Sequence, residues 1–192
     1  HGKGHADDHC TFLLIEEHAL FSGDMVLGHG TTWIQDLHDY MQSLRRMRDL
    51  RPVRVYPAHG PVIKEGIVVM DRYIQHREDR EQQVWKVLSK QTKPVAAMDL
   101  VRELYTQTDK SRLAQAEDNV LKILRKFEKD GSVTAWSAIQ DPAFPRWWKK
   151  RGLTQVTLPA YVRNVSKHLL WEAKGRNFDS NHQNGAVIKS RL

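Results

Sequence analysis

Three short clusters of histidine and carboxylate side chains stand out in the first third of the sequence. They are His1-Gly-Lys-Gly-His5-Ala-Asp7-Asp8-His9, Phe21-Ser-Gly-Asp24 and Pro57-Ala-His59-Gly-Pro61. Imidazoles and carboxylates are donors that suit zinc, with manganese or iron as alternatives. A hydrolytic metal site needs such donors on a backbone that barely moves, and loops rich in glycine and proline provide one. The clusters therefore indicate a metal-dependent hydrolytic site.

Each cluster taken alone has an ordinary interpretation. A Ser-Gly-Asp triplet is usually only a turn, and a histidine between two prolines is usually a surface loop residue. The histidine-rich beginning of the sequence also looks like a tag. The metal hypothesis therefore depends on finding all three clusters, in this order, in one chain.

The clusters lie beside elements typical of a layered α/β domain. Two apolar runs, Cys10–Ile15 and Ala19–Phe21, predict a buried hairpin, and Val53–Tyr56 alternates like a strand. Between them, apolar residues at spacings of three and four predict a helix. Its buried face is expected to contain Leu37, Tyr40, Met41, Leu44 and Met47.

The second half of the chain is predicted to be mainly helical. Amphipathic patterns cover Val69–Gln91, Val95–Tyr105 and Ala116–Asp130, and Ser132–Trp136 follows as a short strand after Gly131. Three helices and a strand are typical of a winged-helix module, and a plain helical cap would have a similar pattern. Beyond Pro142 the periodicity fades, which predicts a weakly ordered tail.

Composition and charge exclude several classes of protein. The 192 residues are 40% hydrophobic and 28% charged, which excludes a disordered, collagen-like or disulfide-stapled chain. The single cysteine, Cys10, cannot form an internal disulfide, which favours a reducing compartment or a metal-stabilised fold. No apolar run approaches the roughly 20 residues that cross a bilayer, so we expect a soluble protein without membrane contact.

The net charge of +7 is unevenly distributed along the chain. Residues 1–92 contain 12 basic and 13 acidic residues, whereas residues 93–192 contain 18 basic and 10 acidic residues. A near-neutral, histidine-rich half followed by a basic half indicates chemistry in the first part and contact with a polyanion in the second.

The three clusters together resemble the third, fourth and fifth metal motifs of the metallo-β-lactamase superfamily. The later segment Tyr73-Ile-Gln-His76-Arg77-Glu-Asp-Arg80-Glu81 resembles a narrower group within it, mitochondrial endoribonucleases that end in a winged-helix-like domain. The resemblance covers Gly4 to about Trp136. It implies the C-terminal half of an αββα sandwich followed by an α-helical winged-helix-like domain.

The resemblance also implies roles for individual residues. His5 would ligate a first metal, Asp24 would bridge two metals and His59 would ligate the second; in that family two ions, usually zinc, activate a water molecule for attack. The neighbouring side chains Asp7, Asp8 and His9 are expected to orient His5 rather than to bind metal.

Departures from the family pattern shape these expectations. The His-x-His-x-Asp-His motif, which supplies most of the family's ligands, does not occur in this sequence, and Ala6 replaces a usual threonine. We therefore expect the C-terminal part of a longer protein, with doubtful zinc occupancy, no activity by itself and an exposed face. The missing N-terminal half or a second subunit is the expected protein partner.

Basic residues on two predicted helices are candidates for contact with RNA. Both sets also have an ordinary interpretation, because solvated helix faces are commonly charged. The candidates are His76, Arg77 and Arg80 on the first helix, and Lys122, Arg125 and Lys126 on the third.

The domain prediction places the half-sandwich in residues 1–66, the winged-helix-like domain in 67–140 and a basic, weakly ordered tail in 141–192. The expected function is hydrolysis of single-stranded RNA by a zinc-dependent endoribonuclease, of which this chain carries part of the metal site. Two alternatives remain: a thioester or lactam hydrolase of the same fold, and a non-catalytic chain that binds RNA or a partner. The resemblance implies a location in the mitochondrial matrix; the cytoplasm is the alternative.

Overall fold

The first part of the chain builds a small mixed β-sheet. The computed structural model describes residues 1–107, 109–137, 154–155 and 169–174. Strand β1 (Phe12–Leu14) pairs antiparallel with β2 (Ala19–Gly23), and β2 pairs parallel with β3 (Arg54–Pro57). Because β2 and β3 are parallel neighbours, their carboxyl ends meet at one edge of the sheet. The second and third clusters follow these two ends.

Helix α1 (Leu37–Asp49) connects β2 to β3 and covers one face of the sheet. It begins after Asp36, whose side chain accepts a hydrogen bond from the Asp39 amide at 3.1 Å and so satisfies one free N–H of the first turn. All five residues predicted to form its apolar face are buried, in one core with Leu20 and Val55.

The opposite face of the sheet carries an exposed aromatic row. Phe12 lies beside Phe21, and Phe21 lies beside Tyr56 with the two rings stacked 5.0 Å apart. Phe12 is 68% exposed, so the prediction of a buried hairpin is wrong for this part of β1. Alternation explains the difference, because every second residue of these strands points away from α1.

The second part of the chain consists of three helices and an antiparallel sheet. Helix α2 (Gly66–Leu88) leads into β4 (Val95–Ala96), α3 (Ala97–Leu104), a 3-10 turn (Lys110–Arg112) and α4 (Leu113–Lys129). The strands β5 (Val133–Ser137), β6 (Thr154–Gln155) and β7 (Leu169–Ala173) follow, in the sheet order β4-β7-β5-β6. None of the described helices combines the length and apolarity needed to cross a membrane.

Strand β7 corrects the prediction of a weakly ordered tail. It lies between β4 and β5 in the sheet, and its Trp171 side chain is fully buried in the core. A five-residue strand inside a polar, basic stretch has too short a pattern to be recognised before its partners are known. The rest of the predicted tail, apart from residues 154–155 and 174, lies outside the described residues.

One hydrophobic core joins the two parts of the chain. It runs from Leu20 and Val55 through Met70 of α2 to Leu124 of α4 and Trp171. Below, the sandwich region means residues 1–65, and the winged-helix region means residues 95–137 with β6 and β7. Helix α2 connects them and packs against α1, α3 and α4.

Candidate metal centre

The three predicted metal ligands meet at one edge of the first sheet. The Asp24 carboxylate lies between two imidazoles: its Oδ2 is 3.6 Å from His5 Nε2, and its Oδ1 is 3.5 Å from His59 Nε2. The His59 side chain is 66% exposed and that of Asp24 is 34% exposed, so this carboxylate-imidazole group opens onto the surface.

Turns at the strand ends position Asp24 and His59. Gly23 ends β2 with a φ of 54°, a conformation that favours glycine, and its carbonyl accepts a hydrogen bond from the Ala58 amide at 3.0 Å. The His59 carbonyl accepts a hydrogen bond from the Gly28 amide at 2.9 Å. The loops after β2 and β3 are thus tied to each other by backbone hydrogen bonds.

His5 is oriented by the segment Thr32-Trp33, which the sequence analysis did not assign to the site. The Nδ1–H group of His5 donates to the Trp33 carbonyl at 2.8 Å, which turns Nε2 towards Asp24. The buried Thr32 hydroxyl donates a short hydrogen bond to the Asp24 carbonyl. A histidine that binds metal commonly has such a carbonyl partner on its other nitrogen.

The residues expected to orient His5 have other positions. His9 Nε2 accepts a hydrogen bond from the Asp24 amide at 3.1 Å, so His9 supports the turn that carries Asp24. Burial, together with the nearby His5, lowers the pKa of His9 below its usual value. Asp7 and Asp8 are exposed, and His5 Nδ1 is bonded to the Trp33 carbonyl.

The nitrogen and oxygen donors of His5, Asp24 and His59 would suit two cations that share the Asp24 carboxylate. Each carboxylate oxygen faces a different imidazole, and Asp24 Oδ1 is a buried atom for which the described residues supply no hydrogen-bond partner. A metal ion would satisfy that oxygen. Within the described part of the chain, no three histidine, cysteine, aspartate or glutamate side chains are grouped to hold one ion. If a metal binds here, His5 with Asp24 and His59 with Asp24 would form two half-sites of two ligands each.

Of the candidate RNA-contacting residues on α2, two are exposed and Arg77 is half-buried. His76 and Arg80 are exposed, and Arg80 also lies 5.7 Å from the centre of the Tyr105 ring. Burial and the adjacent Arg77 and Arg80 lower the pKa of His76. Glu81, by contrast, is only 4% exposed and faces α4.

On α4, the basic residues face the rest of the protein more than the prediction assumed. Lys126 Nζ lies 2.8 Å from Glu81 Oε2 and 2.7 Å from Asp130 Oδ2, and its side chain is 11% exposed. Lys126 is thus used in a buried ion pair, which corrects its assignment to an RNA surface. Lys122 pairs with Asp118 at 2.7 Å and is 19% exposed, and Arg125 is half-buried.

His38 takes part in the same polar network, although no motif singled it out. Its Nδ1 lies 2.8 Å from Asp130 Oδ1, so Asp130 contacts both α1 and Lys126. Burial raises the pKa of the Glu81 carboxyl against the opposing effect of the Lys126 ammonium. We call Glu81, Lys126, Asp130 and His38 the polar network; it joins α1, α2 and α4.

Comparison with known proteins agrees with this fold. The beta-lactamase associated winged helix domain family matches residues 96–140. A metallo-beta-lactamase family protein from Thermus thermophilus superposes with a TM-score of 0.52 at 27% identity, covering 70% of this chain and 44% of that one. A beta-lactamase domain protein from Burkholderia ambifaria shows the same fold, with a TM-score of 0.59 at 24% identity over 70% of this chain and 42% of its own. The chain is similar in fold and in sequence to proteins of the metallo-β-lactamase superfamily.

Within that superfamily the chain is similar to beta-lactamase-like protein 2 homologs. The homolog of Caenorhabditis elegans is 45% identical over 130 residues, covering 68% of this chain and 44% of that protein. The homolog of Drosophila melanogaster is 40% identical over 134 residues, covering 69% and 46%. The chain therefore spans about half the length of these relatives. The predicted α/β fold with a winged-helix domain is confirmed, and so is the resemblance to the superfamily and to beta-lactamase-like protein 2 homologs.

Proposed function

We propose that this chain forms part of a metal-dependent endoribonuclease that hydrolyses phosphodiester bonds in single-stranded RNA. The observation that carries the proposal is the Asp24 carboxylate, whose two oxygens face two different imidazoles. Two ions that share one carboxylate are the arrangement suited to in-line displacement at phosphorus. Zinc is the first candidate because the donors are imidazole nitrogen and carboxylate oxygen.

A metal held at this site supplies Lewis-acid chemistry, because it polarises a phosphoryl oxygen and acidifies water. The protein contributes the geometry. The Trp33 carbonyl fixes the His5 ring so that Nε2 faces Asp24, and the Thr32 hydroxyl and the Asp24 amide hold the turn on either side. Because these supports are mostly backbone groups, the donor atoms are preorganised before any substrate arrives.

The exposure of the site favours a polymer over a small thioester. His59 is 66% exposed, and a small-molecule site is normally concave and encloses most of its ligand. A nucleic-acid strand instead needs an open surface along which it can run.

Helix α2 carries the exposed side chains of His76 and Arg80 and is connected to the loop that carries His59. The Tyr73 hydroxyl accepts a hydrogen bond from the Leu27 amide at 3.3 Å, and the next residue, Gly28, donates its amide hydrogen to the His59 carbonyl. Together with the basic second half of the sequence, the exposed side chains of His76 and Arg80 support RNA as the substrate.

Cleavage of a labelled single-stranded RNA tests the proposal. The chain should be compared with a longer protein that contains it, each with Zn²⁺ or Mn²⁺, with a duplex RNA and a thioester as competing substrates. We expect the longer protein to cut the single strand internally and the Asp24→Asn variant to lose this activity. Absence of RNA cleavage by the longer protein with either metal would refute the proposal.

The small number of side chains available to each metal ion favours a second function, non-catalytic RNA binding. Each half-site receives only two side chains from the described residues, and two ligands hold an ion weakly. RNA binding that weakens with salt, yet is unchanged by chelator and by His59→Ala, would support this function for the chain by itself. RNA binding that requires metal would exclude it.

A further inference from the structure

We infer that helix α4 of the winged-helix region holds in place the segment Trp33–Asp36, which orients His5. Lys122 and Lys129 are the positioning residues, and we call their two contacts with this segment the brace. The inference rests on the proposed function in one respect, the assignment of His5 as a metal ligand. The contacts that carry it link α4 to the segment Trp33–Asp36 at two points, one at each end.

The first contact runs from Lys122 through Trp33 to His5. Lys122 Nζ lies 5.7 Å from the centre of the Trp33 ring, within the range of a cation–π interaction. The same tryptophan accepts the His5 Nδ1–H hydrogen bond on its carbonyl, and its ring meets the His5 ring edge-on at 6.1 Å. Asp118, one turn earlier on α4, fixes the Lys122 ammonium at 2.7 Å. Movement of Lys122 would therefore move the acceptor that sets the His5 ring.

The second contact runs from Lys129 through Asp36 to the residue before His5. Lys129 Nζ lies 2.6 Å from Asp36 Oδ2. The backbone amides of Gln35 and Asp36 both donate to the Gly4 carbonyl, at 2.8 and 3.0 Å. Gly4 and His5 are adjacent, so the ion pair on α4 holds the backbone that carries the imidazole.

The two lysines lie on one face of α4 because seven residues correspond to about two helical turns. Between them, the polar network ties the same face to α1 through Asp130 and His38. This helix, which in many winged-helix proteins faces nucleic acid, here faces the metal-ligand segment. The winged-helix region is then a structural part of the metal centre, and metal binding at His5 depends on it.

Methionine substitutions of the two lysines in the full chain test the brace. Methionine keeps the length of the side chain and removes the ammonium. We expect Lys122→Met and Lys129→Met each to weaken Zn²⁺ affinity, measured by chelator competition, by about two- to five-fold, and the double variant by about ten-fold. Lys86→Met, on the exposed surface of α2, should leave affinity unchanged, and Lys122→Arg should restore most of it.

The imidazole ¹⁵N spectrum of His5, recorded without metal, gives a second readout that a loss of general stability would not imitate. The wild-type chain should show the tautomer protonated at Nδ1, and the double variant a mixture of tautomers. A folded double variant with the wild-type His5 spectrum and Zn²⁺ affinity would overturn the brace and leave the proposed function intact. Zn²⁺ affinity that is unchanged by His5→Ala would instead overturn His5 as a ligand, and the ¹⁵N spectrum alone would then decide the brace.

Discussion

The sandwich region and the winged-helix region hold their polar side chains by different means. Around His5 and Asp24, the supports are neutral groups: the Trp33 carbonyl, the Thr32 hydroxyl and the His9 ring. In the winged-helix region, Lys126 and Lys129 are held by carboxylates of opposite charge. The neutral supports leave His5 Nε2 and an Asp24 oxygen available to a cation, whereas an ion pair uses its charges internally.

Because of this difference, we expect metal binding and the stability of the fold to depend on different residues. The sandwich region keeps donor atoms that lack partners, and Asp24 Oδ1 is buried without a hydrogen bond from the described residues. In the polar network, the charged groups are paired across α1, α2 and α4, although Glu81 Oε1 is also buried without a hydrogen bond from the described residues. Substitutions in the network should therefore change the free energy of unfolding, and substitutions around the half-sites should change metal affinity first.

The largest expected effect comes from breaking the polar network at Lys126. Lys126→Met leaves Glu81 buried without its cation, which should lower the free energy of unfolding by about 3–5 kcal/mol. Urea denaturation measures this loss. The double variant Lys126→Met/Glu81→Gln should recover part of the stability, because the buried charge is then removed together with its partner. A loss below about 1 kcal/mol would show that Lys126 is solvated and available to other partners.

Substitution of Gly4 tests the packing of the loop that carries His5. Its φ is 114°, and a Cβ at this position would collide with the backbone nitrogen of Tyr40. Gly4→Ala should therefore destabilise the protein by about 2–3 kcal/mol and displace His5. Gly30→Ala is the matched control, since Gly30 also has a positive φ, 70°, but open space around a Cβ. Equal effects of the two substitutions on Zn²⁺ affinity would contradict the assigned packing.

Substitution of Thr32 tests whether its hydroxyl group helps to position Asp24. Thr32→Val removes the hydrogen bond to the Asp24 carbonyl and should cost about 1 kcal/mol of stability. Zn²⁺ affinity should fall along with it, as measured by chelator competition. Thr31→Val is the control, because Thr31 is exposed next to it in the sequence. If both variants bind Zn²⁺ like the wild type, Thr32 has no role in placing Asp24.

Substitution of Asp36 has the smallest expected effect. It should change how the free energy of unfolding falls at acidic pH. Burial acts to raise its pKa, but the bonds from Lys129 and the Asp39 amide outweigh it, so the pKa of Asp36 lies below its usual value. The unfolded chain then binds this proton more readily than the folded chain. The contribution of Asp36 is complete above pH 3.8 and is lost as the pH falls through the lower folded-state pKa. Urea unfolding of Asp36→Asn against wild type should show a flatter decline below pH 4.

The loop positions of His5, Asp24 and His59 could be predicted from the sequence, because glycine and proline beside these residues indicate turns next to the strands. The Trp33 carbonyl could not be predicted, since every residue has a carbonyl and only the fold brings this one to His5. Thr32 had a visible hydroxyl, but nothing in its spacing linked it to Asp24.

The basic residues of α4 show the opposite limitation. Their helical spacing indicated a phosphate-binding face, yet Lys126 is paired with Glu81, which lies 45 positions earlier in the sequence. Partners so distant are set by tertiary packing, which a local pattern does not report. Strand β7 was missed for a related reason, because only its neighbours β4 and β5 identify it as part of a sheet.

The central claim is that Asp24 is shared by two half-sites, and metal binding to the purified chain tests it most directly. Zn²⁺ titration against a weak chelator should be carried out on wild type, Asp24→Asn, His5→Ala and His59→Ala. We predict weak binding to the wild type, partial loss in each histidine variant and loss of all binding at this edge in Asp24→Asn. Binding that survives Asp24→Asn, or that disappears completely with only one of the two histidines, would contradict the shared carboxylate.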